Sequence, residues 1–181
     1  MDTIQQFDKV MALCRGVFLK KMGDYGLSWR IMRPQSITDQ IFIKAIRIRN
    51  LEINGFSKVD EGIKPELMAI VNYGVIGLIQ LTHGASIHTG YMDENEALAL
   101  YDKYLSMTKE LMFAKNHDYG EAWRSMRISS YTDLILTKIS RVKQIEDNLG
   151  QTVLSEGIDA NYMDMINYAL FGLIKLEFMG E

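Results

Sequence analysis

The chain repeats itself. Displacing it by 94 residues lays 7–60 on 101–154, and one added residue continues the match of 61–81 with 156–176, giving 29 identities in 75 aligned positions. Self-similarity at a fixed period means that one supersecondary unit is built twice. A unit of about 80 residues is only marginally stable alone, so the two copies are expected to share a core. The expected division is 1–82 for the first repeat, 83–93 for a linker and 94–181 for the second repeat. The linker, His83-Gly-Ala-Ser-Ile-His-Thr-Gly90, has no apolar period and contains two glycines.

Each copy reads as three helices. In the first helix Ile4, Phe7, Met11, Cys14 and Phe18 recur at three- and four-residue steps, and Tyr101, Leu105, Thr108 and Met112 follow the same stripe with one polar lapse. The middle helix follows the cap-like Ser36-Ile-Thr38-Asp39 or Ser130-Tyr-Thr132-Asp133 and ends near Asn54-Gly55 or Gly150. The third helix is apolar on nearly all sides, which requires helices around it. Gly74, Gly77 and Gly172, with Ala169, permit close backbone approach and mark a crossing of the two third helices. The expected fold class is all-α: a tandem duplication of a three-helix module forming a pseudo-twofold helical bundle.

Composition narrows the partners. Hydrophobic residues at 48% and charged residues at 24% exclude a disordered chain. A net charge of −3 and the absence of any basic run argue against duplex nucleic acid. Single-stranded nucleic acid bound through Trp, Tyr and Arg is a weaker alternative that demands steep salt dependence. The lone Cys14 sits on the core stripe and forms no internal disulfide, and the N-terminus lacks a secretory pattern, so a cytoplasmic location is expected. The most apolar stretches, 67–81 and 165–178, fall short of the roughly 18 residues of a span, so no membrane partner is expected. A homodimer is compatible with the sequence and is not required by it.

Between the first two helices stands Lys21-x-x-Asp24-Tyr25-Gly26-x-x-Trp29-Arg30, and again Lys115-x-x-Asp118-Tyr119-Gly120-x-x-Trp123-Arg124. The plain reading is a structured loop in which Asp caps a short helix, Gly takes a positive φ and Trp plugs the core. The functional reading is a pocket in which Lys and Arg hold a phosphate and the aromatic residues stack a base. Lys44 and Arg47, matched by Lys138 and Arg141, share one face of each middle helix beside buried positions. Such cations need partners, either a carboxylate such as Asp24, Asp118, Glu61 or Glu156, or a ligand phosphate.

The third helices carry costly groups: Asn72 and Asn167 in apolar runs, and Asp164 in the second copy only, where the first has Ala69. A buried carboxylate must be paired, hydrogen-bonded or metal-bound. Asp164 and Asn167 point to one place, with Glu156 near the start of the same helix. Oxygen donors of this kind suit Mg2+ or Mn2+, and the expected metal residues are Glu156 and Asp164, with other carboxylates drawn from both copies. A structural bridge from Asp164 to Arg141 is the alternative. His83, His88 and His117 lack metal-ligand spacing and read as surface residues.

The Lys-x-x-Asp-Tyr-Gly-x-x-Trp loops, followed by Lys-x-x-Arg and then Asp-x-x-Asn-Tyr-Ala, resemble the type-one nucleotide-modification-associated domain family, long described as a domain of unknown function. The resemblance spans both copies and implies a role near modified nucleotides. A more distant one runs to the MazG-like all-α nucleoside triphosphate pyrophosphohydrolases, whose last core helix carries Glu-x-x-Asp and then Asn. Asp164 and Asn167 match its end, Asn161 stands at its Glu, and the first copy keeps Glu66 and Asn72 but has Ala69. Two functions are therefore expected in competition. One is a nucleotide-binding protein, with Lys115, Asp118, Tyr119, Trp123, Lys138 and Arg141 as the better pocket, that cleaves a nucleoside triphosphate if metal is held. The other is a non-catalytic all-helical protein-interaction module.

Overall fold

The computed structural model describes residues 1–55, 62–88, 91–152 and 156–180. Among them the chain forms α1 (Thr3–Tyr25), α2 (Pro34–Asn54), α3 (Ile63–His83), α4 (Glu94–Tyr119), α5 (Ile128–Asp147) and α6 (Ile158–Phe178), with no strand. A short 3-10 turn, Ser28–Ile31 or Ala122–Ser125, precedes each middle helix. The helices stack in three layers. α3 and α6 form the central pair, α2 and α5 cover one side, and α1 and α4 cross the other.

Local chemistry sets the helix ends. Asp2 and Gln5 close α1 with a reciprocal capping box, and the Asp93 side chain accepts from the Glu96 N–H at the start of α4. α2 starts at Pro34, earlier than the Ser-Ile-Thr-Asp segment suggested, because proline at the first helical position needs no N–H partner. Thr38 therefore lies inside the helix and its hydroxyl is used across the bundle. Gly55 ends α2 in the left-handed conformation, φ 73°.

The two repeats contact each other as the subunits of a twofold dimer do, with three polar contacts occurring twice with roles exchanged. Thr38 Oγ1 donates to Glu146 Oε1 at 2.8 Å, and Thr132 Oγ1 donates to Glu52 Oε1 at 2.6 Å. Asp39 meets Lys143 at 3.3 Å, and Asp133 meets Arg49 at 3.8 Å. Between α1 and α4, Arg15 pairs with Asp102 at 2.8 Å and Lys109 pairs with Asp8.

The central pair is antiparallel and close. A Cβ added to Gly74 would stand 2.5 Å from Ile166 Cγ1, one on Gly77 would stand 3.1 Å from the Tyr162 ring, and one on Gly172 would stand 3.0 Å from Leu67 Cδ1. These are the glycines from which the crossing was expected. α3 is longer than its apolar run: over its 21 residues it is long and apolar enough to cross a membrane by length and composition, and it is mostly buried within the bundle along its most apolar 18-residue window.

The buried asparagines of the central pair follow the same twofold, with one lapse. Asn72 Nδ2 donates to the Cys14 carbonyl at 3.0 Å while its Oδ1 accepts from the Tyr101 hydroxyl at 2.7 Å. Asn167 Nδ2 donates to the Thr108 carbonyl at 3.1 Å, but its buried Oδ1 has no partner, because Phe7 stands where the twofold calls for a hydroxyl. Asn167 thus ties α6 to α4 in the interior, which is a different place from the ligand pocket expected for it. Cys14 is fully buried, and desolvation pushes its thiol up to about 12.

Candidate functional site

The signature loops are the ends of α1 and α4 plus the 3-10 turns. Gly26 and Gly120 terminate the helices at φ 60° and 58°, the positive φ expected of them. Asp24 and Asp118 lie in the last helical turns, exposed, and neither caps the short turn. The turns are clamped to the third helices by one repeated device. Gln80 Nε2 donates to the carbonyls of Trp29, Arg30 and Met32 at 3.3, 2.9 and 2.7 Å. Lys175, at the matching position, donates to the carbonyls of Arg124 and Met126. The clamp fixes where each Trp points.

In the first repeat it points into a cavity of about 610 Å³. One wall is apolar and aromatic, made by Phe18, Met22, Trp29, Met32, Met68, Tyr73 and Ile76, and the polar lining is Lys21, Tyr25, Ser28, Lys44, Glu66 and Asn72. Trp29 is half-buried, and Lys21 and Tyr25 are exposed at the rim. Glu66 is buried and neutralises part of this charge: its Oε1 accepts from Arg47 at 2.5 Å, and its Oε2 lies 3.5 Å from Lys44 Nζ. Oε2 has no hydrogen-bond donor, so Lys44 reaches it as a neighbouring charge without hydrogen-bond alignment. Among the described residues no carboxylate lies within ion-pair distance of Lys21.

The second repeat fills the same region with its own side chains. Phe171 replaces Ile76 and stacks on Trp123 with centroids 4.5 Å apart and planes 9° from parallel, leaving Trp123 buried. The Arg124 guanidinium covers the Trp123 ring at 4.4 Å. Asp164 replaces Ala69. Its Oδ1 accepts from Lys115 at 2.6 Å and its Oδ2 pairs with Lys138 at 2.9 Å. Burial opposes the charge on Lys115, and the Asp164 hydrogen bond and charge overcome it, so the Lys115 pKa is raised. Tyr119 is exposed, as are Arg141 and the three histidines.

Several expectations change. The open pocket is in the first repeat, whereas the better pocket was expected in the second. The partner of Asp164 is the pair of lysines and not Arg141. Glu66, which is not among the carboxylates expected as partners, pairs with Lys44 and Arg47; Glu61 lies outside the described residues. Glu156 is exposed, and both Asp164 oxygens face ammonium groups. Among the described residues no three His, Cys, Asp or Glu side chains group as metal donors. Among the described residues a shared set from both copies does not assemble either. Gly77 lies against Tyr162 and Gly172 against Leu67, which sets Asp164 level with about Val75, roughly 14 Å along the helix axis from Glu66. Glu156 and Asp164, as placed, therefore do not fit a divalent cation.

The fold and site define a class: an internally duplicated, all-helical bundle with an open aromatic and cationic cavity. The family model described as nucleotide modification associated domain 1 matches residues 21–81 and 115–176, more than half of the chain. The chain belongs to this family, and both matches begin at the signature lysine of a repeat. Neither curated proteins nor solved structures gave a match.

Proposed function

We propose that the protein binds a nucleotide in the first-repeat cavity. The observation that carries this reading is the convergence of Trp29 and Tyr73 with Lys21 and Lys44 on one cavity of about 610 Å³, a size within the usual range for small-molecule sites of about 300–1,000 Å³. The apolar wall offers a base a stacking surface, and the lysines offer a phosphate its counter-charge. Glu66 Oε2, buried and without a donor, suits an amino or hydroxyl group of the ligand. Membership of a family associated with nucleotide modification supports the same ligand class.

Binding is better supported than cleavage, because the carboxylates that would hold Mg2+ or Mn2+ are separated or neutralised. The test is a thermal-shift panel of ribo- and deoxynucleoside mono- and triphosphates, with modified bases, alongside an assay for pyrophosphate release with Mg2+ or Mn2+. A ligand at a hundred times its Kd adds about 2.7 kcal/mol to native stability, a rise of roughly 5–10 °C for a chain of this size. Lys21→Ala with Lys44→Ala is expected to abolish that rise. Metal-dependent pyrophosphate release would restore the hydrolase reading. The absence of any shift from folded protein would favour the competing reading, a helical module that binds another protein.

A further inference from the structure

We infer that one anion site, present twice in the fold, is a working site in the first repeat and is occupied by the protein itself in the second. Asp164 stands in the second repeat where an anionic group of the ligand stands in the first, between Lys21 and Lys44. The identity of the ligand as a nucleotide rests on the reading proposed above; the position of its charge is argued from the second repeat.

The two oxygens of Asp164 each meet one ammonium, Lys115 at 2.6 Å and Lys138 at 2.9 Å, with the carboxylate side chain only 7% exposed. Two oxygens of a phosphate group present the same pattern of acceptors to two lysines. Lys115 and Lys138 align with Lys21 and Lys44, and Asp164 aligns with Ala69. Ala69 lines the open cavity, so the first repeat keeps both cations without a carboxylate at this position; Glu66, one helical turn away, lies 3.5 Å from Lys44, and among the described residues no carboxylate pairs with Lys21. A second exchange reinforces the first: Phe171 stacks on Trp123, while its counterpart Ile76 lines the cavity together with Trp29. One repeat therefore offers counter-charge and stacking surface together, and the other has closed both. The ligand class that follows is a nucleotide bearing at least one phosphate, in preference to a free nucleoside, bound once per chain.

The test is calorimetric titration of the full chain with nucleoside 5′-monophosphates, the matched nucleosides and inorganic tripolyphosphate. Wild type, Ala69→Asp, Ala69→Asn and Lys21→Met are compared, each checked for its helical melt. The expected result is one nucleotide per chain, weakened about tenfold or more by Ala69→Asp, which restores the internal carboxylate. Ala69→Asn, of nearly the same shape without the charge, is expected to weaken binding less. Lys21→Met reports on an exposed side chain should Ala69→Asp fail to fold, and it is expected to weaken phosphate-bearing ligands while leaving nucleosides unaffected. Nucleotide binding that Ala69→Asp and Lys21→Met leave unchanged, or two equivalents per chain, would overturn this inference while sparing the nucleotide reading. Tripolyphosphate binding that Ala69→Asp abolishes, with no nucleotide bound, would spare the anion site and overturn the nucleotide reading. No binding of either would overturn both.

Discussion

Gly74→Ala is expected to destabilise the protein in the natural background and to stabilise it when Ile166 is shortened. In an open helix this change gains about 1 kcal/mol of helix propensity. Here the new Cβ would lie 2.5 Å from Ile166 Cγ1 and 3.0 Å from its Cδ1. The nearer contact is at the root of a fully buried, β-branched side chain that has little freedom to turn aside. Overpacking of this kind costs about 1–3 kcal/mol. With the clash near the top of that range, the net loss is about 2 kcal/mol, or roughly 4–8 °C in Tm for a chain of this length. Ile166→Ala alone leaves a cavity and costs about 2–5 kcal/mol. In that background the added methyl enters vacated space, so Gly74→Ala should recover about 1 kcal/mol or more. The assay is urea unfolding of the four members of the double-mutant cycle, followed by circular dichroism. A Gly74→Ala variant more stable than wild type would refute the reasoning, because it would mean that the central helices slide apart at little cost.

Two further outcomes concern the twofold contacts. Glu52 and Glu146 have raised pKa values, because desolvation at the α2–α5 contact outweighs the hydrogen bonds from Thr132 and Thr38. The native state then holds these protons more tightly, and stability is lost as pH rises from the unfolded carboxylate value through the folded one. Glu52→Gln with Glu146→Gln is expected to flatten this dependence and to melt above wild type at pH 7; a lower melt at pH 7 would count against it. Asn72→Ala should cost more than Asn167→Ala: each removes a second donor from a helix carbonyl, Cys14 or Thr108, but only Asn72→Ala also leaves the buried Tyr101 hydroxyl without its acceptor. Each buried group left unpaired costs about 1–3 kcal/mol, and equal losses in chemical denaturation would contradict the pairing described.

The architecture was readable because it depends on what the repeats share. Gly77 and Gly172, and the flanking apolar positions, predict a close crossing wherever two such helices meet. The site depends on what the repeats do not share, and there the sequence was ambiguous. A lone Asp164 in an apolar helix has the same pattern whether it faces a metal, Arg141 or a lysine. Lys115 and Lys138 reach it from the C-terminal part of α4 and from α5, and spacing along the chain does not encode that convergence. The exchange of Phe171 for Ile76 replaces one apolar residue by another and carries no signal of its own in the sequence. Only the stacking of Phe171 on Trp123 reveals that it closes one pocket and leaves the other open. Glu66, one helical turn before Ala69, was the signal available for the first-repeat ion pairs.

The reciprocal contacts of α2 with α5 and α1 with α4 have the form of an association between identical subunits, held here on one chain. Two separate copies would meet only as often as their concentration allowed, and dilution would part them. The covalent connection replaces that dependence with a fixed effective concentration, so the paired state does not depend on how much protein is present. It also releases the halves from identity. In a homodimer every substitution appears in both subunits, so a carboxylate that fills one site fills the other. Within one chain Asp164 changes a single half and leaves the opposite half free to retain Ala69.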